Sequence, residues 1–310
     1  MKHLIYILLT VLFVSSCSKD NDNSAFLPGP GENIPGYDSE RVIIPDYVRP
    51  EQMKIMSFNI RAVMNEGANY PQRHWNSRKA AMEPLFTKEN AGLIGLQEAH
   101  LSQVQHIVNV QPRYAWYGLG RNTGLADKDQ DEMMAILWDT EILEIGDKGT
   151  FWLNETGNVG EYGWGESYVR TAAWAVFRHK NTGKYFFFLN THLPLETIGQ
   201  KEAVKLISSK VASLNTEGYP VVMTGDWNNW STSEIFTPFA GVYVNARDVA
   251  PVTDHTKTMN DWGGKDPSTI DHIWFKNLDV LRYRTSTEGY AGILYVSDHY
   301  PICATFEFKD

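Results

Sequence analysis

Six short polar motifs carry residue types that suit metal and acid–base chemistry, and each lies next to a short apolar run. The motifs are Ser57-Phe58-Asn59, Gln97-Glu98, Asn190-Thr191-His192-Leu193, Gly225-Asp226-Trp227-Asn228, Ile270-Asp271 and Ser297-Asp298-His299. Carboxylate and amide oxygens are the ligands that hard divalent cations prefer, and an imidazole beside a carboxylate is a common acid–base pair. Gathered in one place, these residues predict an oxygen-ligated divalent cation next to an acid–base pair.

Each motif by itself has a simpler structural interpretation. Gly-Asp-x-Asn most often forms a turn, because Asp and Asn side chains hydrogen-bond to the nearby backbone. A single His at the end of a strand is usually satisfied by a neighbour, and a single Glu after an apolar run is usually solvated. The functional interpretation therefore depends on the occurrence of all six motifs, in one order, within one domain.

Nine apolar runs predict the buried strands that would position these motifs. They cover residues 53–60, 91–96, 114–119, 133–138, 172–178, 185–193, 221–225, 270–275 and 302–308. Apolar residues recur every three or four positions over 199–214, which predicts a helix. Shorter helices are predicted at 76–87, with a break or kink at Pro84, and at 101–108. Strands that alternate irregularly with helices predict an α/β or α+β fold with layered sheets.

Length and composition limit the protein classes. The chain has 310 residues, 43% hydrophobic and 13% aromatic, and a formal net charge of −9. So many aromatic residues exclude a disordered chain, and the length suits one large domain. The acidic balance argues against a broad basic surface that grips nucleic acid or anionic membrane, although a small cationic site is compatible with it. With no linker or repeat after Met53, residues 51–310 are predicted to form one catalytic domain.

The N-terminus has the features of an export signal. Lys2 precedes an apolar run, 4–14, that is shorter than the ~20 residues needed to span a bilayer. Residues 1–16 are therefore predicted to be a lipoprotein signal peptide, and Cys17 the lipidated first residue of the mature chain. A plain signal peptide with an incidental Cys is the alternative. Residues 17–50, rich in Asn, Asp, Gly and Pro, are predicted to be a flexible tether.

The residues after Cys17 bear on location. Ser18-Lys19-Asp20-Asn21-Asp22 resembles the tag of surface-exported lipoproteins in some Gram-negative bacteria. We therefore expect an outer-membrane lipoprotein displayed at the cell surface and attached to the membrane only by its lipid, with a periplasm-facing location as the alternative. Cys303 then has no disulfide partner and is expected to pack in the core.

In their order and spacing, the six motifs resemble the endonuclease/exonuclease/phosphatase superfamily of metal-dependent phosphoesterases. The resemblance covers about residues 53–308. Phe151-Trp152-Leu153-Asn154-Glu155-Thr156, followed by Arg170-Thr171 and Trp174, is similar to a bacterial secreted branch of that superfamily. The resemblance implies a four-layer sandwich of two mixed β-sheets flanked by helices, with the active site at the rim where the motifs converge.

The resemblance also implies a set of metal ligands. Glu98 is expected to be the principal ligand and Asn59, which is also expected to contact substrate, lies beside it. Asp298 would act through a water or complete a second site. The expected cofactor is Mg²⁺, with Mn²⁺ or Ca²⁺ as alternatives, and the number of ions is one or two.

The acid–base roles follow from the same resemblance. His299, oriented by Asp271, is a candidate to take the proton of an attacking water, and Asp226 is the competing candidate; the assignment stays open. Asn228 is expected to donate to a non-bridging phosphate oxygen. His192 is expected to contact the phosphate, as a donor or as general acid to the leaving group.

Two further positions are expected to assist. Glu132 matches the position that supports the equivalent of His192 in the deoxyribonuclease branch. Arg170 is expected to bind phosphate through its planar guanidinium, with a structural salt bridge as the alternative. His272 is expected at the rim and not as a ligand. Pro194-Leu195 stands where many relatives carry Asp-His, so the substrate cannot be transferred from any one branch.

These features predict a divalent-metal-dependent hydrolase that attacks phosphate esters in line with an activated water. The net charge favours a small phosphorylated sugar, inositol phosphate or lipid head group over extended nucleic acid, and a monomer is expected. A secreted nuclease is the first alternative. A surface glycan-binding lipoprotein without catalysis, using the ten Trp and the loop at 163–168, is an alternative of another class.

Overall fold

The computed structural model describes residues 48–63 and 69–309. The predicted signal peptide, Cys17 and all but the last residues of the predicted tether lie outside these ranges. Within them, no helix has the length and apolar character needed to cross a membrane. Cys303 is buried and forms no disulfide.

Two six-stranded sheets form the centre of the protein. The first contains β1 (Met53–Asn59), β2 (Leu93–Ala99), β3 (Tyr114–Tyr117), β4 (Met133–Asp139), β11 (Leu278–Thr285) and β12 (Ile302–Phe308), in the spatial order β11-β12-β1-β2-β4-β3. The second contains β5 (Leu143–Trp152), β6 (Thr171–His179), β7 (Tyr185–His192), β8 (Val221–Asp226), β9 (Val244–Asn245) and β10 (Asp271–Lys276), in the order β5-β6-β7-β8-β10-β9. β1–β2 and β7–β8 are parallel and the other pairs antiparallel, so both sheets are mixed.

Helices cover the outer faces of the two sheets. They are α1 (Trp75–Arg78), α2 (Met82–Glu89), α3 (Leu101–Val110), α4 (Thr197–Leu214) and α5 (Ala246–Val249), with 3-10 turns at Pro71–Arg73, Lys79–Ala81, Glu234–Phe239 and Asp261–Gly263. α1, α2 and α3 pack on the first sheet and α4 on the second, while a third apolar cluster fills the space between the sheets. These four layers confirm the predicted fold class.

The predicted elements differ from the observed ones for identifiable reasons. β5 is not among the predicted strands, because polar residues such as Asp147 and Lys148 occupy its solvent-facing centre and interrupt the apolar run. β11 is not among them either, because Arg282 and Arg284 interrupt its apolar run. The expected break at Pro84 is wrong: Pro84 is the third residue of α2, where a missing N–H costs no helical hydrogen bond.

Asn190 of β7 joins the two sheets close to the strand ends that carry the motifs. Its Oδ1 accepts hydrogen bonds from Gln97 Nε2 at 2.7 Å and from Thr224 Oγ1 at 3.1 Å. Its Nδ2 donates to the carbonyls of Leu96 at 2.8 Å and Ala135 at 3.1 Å. Because β2 and β4 belong to the first sheet, these bonds fix the spacing of the sheets where the motifs meet.

Candidate active site

Three of the predicted residues form one row across neighbouring strands of the second sheet. His192 at the end of β7 is in register with Asp226 at the end of β8, and Asp226 is in register with Asp271 at the start of β10. Adjacent strands lie only about 4.8 Å apart, so the three side chains are neighbours. His192 Nε2 lies 3.5 Å from Asp226 Oδ2.

His299, just before β12, joins this row from the first sheet. Its Nδ1 lies 2.9 Å from Asp271 Oδ2, and its Nε2 lies 3.7 Å from Asp226 Oδ2. All three side chains are buried. Burial acts to lower the pKa of His299, but the carboxylates of Asp271 and Asp226 outweigh it and raise that pKa to about 10.

Asn59 connects the carboxylates of the two sheets. Its Nδ2 donates to Glu98 Oε1 at 3.1 Å and to Asp226 Oδ2 at 3.0 Å, while its Oδ1 accepts the backbone N–H of Arg61 at 3.1 Å. The amide nitrogen therefore faces the two carboxylates, whereas the predicted metal-ligand role needs the oxygen. In this arrangement Asn59 positions both acids.

Glu98 reaches the site through a local backbone irregularity. The pairing of β2 with β4 shifts register between Leu96 and Ala99, and Glu98 has a φ of 56°, in the left-handed region. Such a bulge re-aims a side chain, and the strain is typical of functional positions. Glu98 Oε2 then accepts the backbone N–H of Ala62 at 3.0 Å.

Arg61, which the sequence analysis did not single out, lies between two predicted metal ligands. Its guanidinium is 3.9 Å from Glu98 Oε2 and 3.2 Å from Asp298 Oδ2. Burial acts to raise the pKa of Glu98, but Arg61 and the hydrogen bonds to the carboxylate lower it overall. Arg61 lies two residues after the motif Ser57-Phe58-Asn59, and this position could have marked it as a candidate. Nothing in the sequence indicated which carboxylates it contacts.

The donor set fits a divalent cation. One ligand atom each from Asp226, Asp271 and His299 lies within 4.8 Å of the other two, and all three residues are buried. Burial and the neighbouring Asp271 raise the pKa of Asp226 to about 7. Two carboxylates held so close and away from water favour a bound cation, and carboxylate oxygens are suitable ligands for Mg²⁺. Glu98 adds a further carboxylate, connected through Asn59.

His192 is held as a neutral imidazole. Burial, together with the cations of Arg170 and Arg121, lowers its pKa well below the ordinary value. Its Nδ1 is buried and has no hydrogen-bond partner within 48–63 and 69–309. Glu132, expected to support His192, instead pairs with Arg121 at 2.6 Å. The neutral ring can donate one hydrogen bond, but it carries no extra proton for a leaving group.

Arg170 is a buried cation at the same end of the second sheet. It precedes β6, is only 6% exposed, and its side chain has no hydrogen bond or ion pair with any described residue. Its guanidinium lies 5.7 Å from the ring centroid of Tyr168, and that of Arg121 lies 5.8 Å from the same ring. Burial and Arg121 lower the pKa of Arg170. The predicted alternative of a structural salt bridge is therefore not seen within the described ranges.

Asn228 and His272 occupy supporting positions. The backbone N–H of Asn228 donates to Asp226 Oδ1 at 3.0 Å, and its Nδ2 donates to the carbonyl of Leu193 at 2.9 Å. Asn228 thus fixes the orientation of Asp226 and the loop after β7. The expectation that His272 lies at the rim is wrong: it is buried, bonds the carbonyl of Asn229 at 2.8 Å and packs on Phe236.

A family comparison agrees with this geometry. The model of the Endonuclease/Exonuclease/phosphatase family matches residues 56–299, which include all six motifs. This is most of the described chain.

Solved structures with the same fold include two from Bacteroides. An endonuclease/exonuclease/phosphatase from Bacteroides vulgatus is 28% identical, with a TM-score of 0.76 over 83% of this chain and 99% of that chain. A mannosyl-6-phosphatase from Bacteroides thetaiotaomicron is 27% identical, with a TM-score of 0.74 over 83% of this chain and 100% of that chain.

The matches to curated relatives are partial. An uncharacterised protein of Acanthamoeba polyphaga mimivirus is 22% identical over 298 residues, covering 81% of this chain and 42% of that protein. The chain spans less than half the length of the curated relatives it matches.

Proposed function

The chain belongs to the endonuclease/exonuclease/phosphatase family, whose members are hydrolases that act on phosphate esters, and we propose that it is a divalent-metal-dependent phosphoesterase of small phosphorylated sugars. The observation that carries the proposal is that anionic and cationic side chains are buried together at one end of the second sheet. A buried row of carboxylates and imidazoles lies beside a buried arginine, Arg170, that forms no ion pair with a described residue. The carboxylates of Glu132, Glu98 and Asp226 act on its charge only from a distance, and burial and Arg121 still lower its pKa.

Arg170 supports the phosphate part of the proposal. A buried charge is costly unless an opposite charge compensates it. A phosphoryl group supplies that charge and matches the planar guanidinium in shape. Arg121 is less available to bind a phosphoryl group, because Glu132 already forms an ion pair with it at 2.6 Å.

The carboxylates support the metal dependence. Asp226 and Asp271, the carboxylates that cluster with His299, would hold the ion. Glu98, connected to Asp226 through Asn59, would add a further carboxylate, and Asp298 would act through a water. When bound, Mg²⁺ would withdraw charge from the phosphoryl oxygens and stabilise the leaving oxygen.

Two groups are candidates to accept the proton of the attacking water. A cation bound to Asp226 and Asp271 would offset the negative charge that keeps the His299 ring protonated, and His299 can accept a proton only in that state. Asp226 Oδ2 and His299 Nε2 lie 3.7 Å apart and face the same point. Asp271 holds the His299 ring with its Nε2 toward that point, and Asn228 holds Asp226 by its other oxygen. Neutral His192 is placed to donate an N–H hydrogen bond to a phosphoryl oxygen. Single-turnover rates of Asp226→Asn and His299→Gln, measured at saturating Mg²⁺ over a range of pH, would assign the base, since replacing the base also removes its ionisation from the pH profile of the rate.

The sugar part of the proposal has separate support. The structural neighbour at 27% identity is a mannosyl-6-phosphatase. The net charge of −9 disfavours long contacts with a nucleic-acid backbone. A small phosphorylated sugar needs only the compact cationic group at Arg170.

A substrate panel tests the proposal. The purified protein would be assayed on mannose 6-phosphate, glucose 6-phosphate, an inositol phosphate, glycerophosphocholine, bis(p-nitrophenyl) phosphate and duplex DNA, each with Mg²⁺, Mn²⁺, Ca²⁺ or EDTA. We expect turnover of a sugar phosphate that EDTA and Glu98→Gln abolish. Preferred cleavage of DNA would make the protein a nuclease, and turnover of no ester by the wild type would overturn the proposal.

We propose in addition that Cys17 anchors the protein to the outer membrane, facing outward. The support is the sequence alone: the apolar run, the Ser15-Ser16-Cys17 triplet and the acidic residues after it. Labelling with a fatty-acid analogue should be lost in Cys17→Ala. Protease added to intact cells should degrade the wild type, and protection of an expressed, lipidated protein would contradict surface display.

A further inference from the structure

A cavity of about 370 Å³ is lined in part by the segment that leads to the predicted metal ligand Asp298, and it takes no part in the chemistry proposed above. Its lining comes from three segments at the catalytic end of the protein: Gln72, Arg73 and Ser77; Trp262; and the segment 292–295. The volume is in the range of small-molecule sites, about 300–1,000 Å³. The 292–295 segment leads within three residues to Asp298 itself.

Direct hydrogen bonds connect the cavity wall to the catalytic motif. The backbone N–H groups of Asn260 and Asp261 both donate to the carbonyl of Asp298, at 2.7 Å and 3.1 Å. Asn260 Nδ2 donates to the carbonyl of Ser297 at 3.1 Å, and Asn260 Oδ1 accepts the N–H of Trp262 at 2.8 Å. Trp262 is therefore held one residue beyond the groups that touch Asp298.

The lining of the cavity includes two aromatic residues, Trp262 and Tyr295, and the cation of Arg73. The guanidinium of Arg73 lies 4.1 Å from the ring centroid of Tyr70 and 5.4 Å from that of Trp262. Arg73 forms no ion pair with a described carboxylate, so its N–H groups are available to a ligand. Tyr295 covers Gly263 closely, since a Cβ at Gly263 would lie 2.6 Å from its hydroxyl.

The backbone at this wall is strained. Asp261 and Trp262 have φ angles of 49° and 54°, two consecutive non-glycine residues in the left-handed region. Non-glycine residues in this region are energetically unfavourable, and they cluster at ligand clamps and active sites. Here the strain directs the half-buried Trp262 ring toward Arg73 instead of into the core.

We propose that this cavity is a saccharide subsite that binds the sugar ring carrying the scissile phosphate, or the ring linked to it. This inference rests on the proposed function and names the residues that set its substrate preference. An aromatic face suits the apolar C–H face of a pyranose, and the fixed N–H donors of Arg73 suit its hydroxyl groups. Gln72 adds a further amide at the edge.

Kinetics on two phosphate esters test the subsite. The substrates are mannose 6-phosphate and glycerol 3-phosphate, which carries no ring. In Trp262→Ala we expect KM for mannose 6-phosphate to rise about tenfold with kcat nearly unchanged, and kcat/KM for glycerol 3-phosphate to stay within about twofold. Trp262→Phe should restore most of the affinity because it keeps a ring. An equal loss of kcat/KM on both esters, or no loss of kcat/KM on either, would overturn the inference.

A binding measurement separates this inference from the proposed function. Saturation-transfer NMR with methyl α-mannoside needs no catalysis, so it remains informative if the wild type hydrolyses no ester. The signal should be present in the wild type and lost in Trp262→Ala. Tyr185→Ala is the matched control, because Tyr185 is an exposed aromatic at the end of β7 opposite His192. A mannoside signal that is absent, or that Trp262→Ala leaves unchanged, would overturn the subsite. A preference for adenosine monophosphate over mannose 6-phosphate that depends on Trp262 would also overturn it.

Discussion

His299 and Asp271 share a buried hydrogen bond of 2.9 Å between Nδ1 and Oδ2, although 28 positions separate them in the chain. The bond fixes the imidazole so that its Nε2 points at Asp226. Asp271 starts β10 of one sheet, and His299 precedes β12 of the other. The acid–base pair therefore exists only when the two sheets are packed together.

Asp271→Asn should lower kcat by about 10²–10⁴-fold, because the amide can no longer hold the imidazole in the required tautomer and charge state. Steady-state kinetics on the substrate found in the panel would measure this. Asp279→Asn, at the exposed position of the mostly buried strand β11, is the control and should leave kcat unchanged. A normal kcat in Asp271→Asn would remove His299 from the proposed chemistry.

Arg170→Gln should lower kcat/KM by about 10²-fold, since it removes a charged donor from the phosphate, worth roughly 1.5–3 kcal/mol. Arg178→Gln is a matched control at the far end of β6, since Arg178 is partly exposed and its ion pair within the described residues is with Glu144 of β5. Inhibition by inorganic phosphate gives a second measurement: its inhibition constant should rise in the first variant and not in the second.

Mg²⁺ should raise the melting temperature of the wild type, because an ion that binds only the folded state stabilises it by mass action. Glu98→Gln keeps the size of the side chain but removes a charge from the site. It should reduce the Mg²⁺-dependent increment in a thermal-shift titration. A full increment in this variant would mean that the ion binds at the Asp226–Asp271–His299 cluster without Glu98.

Gly95→Ala should destabilise the fold by about 1–3 kcal/mol and reduce activity, through overpacking between the sheets. A Cβ at Gly95 would lie 2.5 Å from Asn190 Oδ1 and closer still to Thr224 Oγ1. Gly146→Ala is the control, because its nearest neighbour, the carbonyl of Val176, lies at an ordinary 3.5 Å. Denaturant unfolding compares the two, and equal stabilities would show that the Asn190 network tolerates displacement.

The carboxylate of Glu89 should make the stability of the fold depend on pH. Its buried carboxylate binds Lys54 at 3.0 Å and Arg284 at 2.7 Å. Burial acts to raise its pKa, but these cations and Ser286 lower it from 4.5 to about 2. The carboxylate therefore stabilises the fold above about pH 4.5 by about 3 kcal/mol, and this contribution is lost as pH falls toward 2.

Glu89→Gln tests that pH dependence. At pH 7 the variant should be less stable by about 3–5 kcal/mol, because it removes the anion from a buried ionic cluster. The difference from the wild type should narrow as pH falls below about 4.5. Glu144→Gln, at an exposed pair, should change stability by no more than about 1 kcal/mol. A difference that stays constant from pH 7 to pH 3 would contradict the assigned pKa.

The sequence predicted the strands that carry the motifs because those strands are apolar throughout. β1, β4 and β8 are buried at every position, and so are His192 and Asp226 at the ends of β7 and β8. The spacing of the motifs along the chain was enough to identify the family. Arg61, Arg121 and Trp262 were not found, since an isolated Arg or Trp has no distinctive sequence context.

The sequence by itself determined the residue types, the strand ends on which they lie and the layered class of fold. Only the tertiary structure decided that His192, Asp226 and Asp271 form one row, that Asn59 joins Glu98 to Asp226 across the sheets, and that Glu132 binds Arg121. The physical reason is that hydrophobic periodicity is local and reports which face is buried. Strand order, register and charge pairing depend instead on contacts between residues far apart in the chain, and these form only when the two sheets pack.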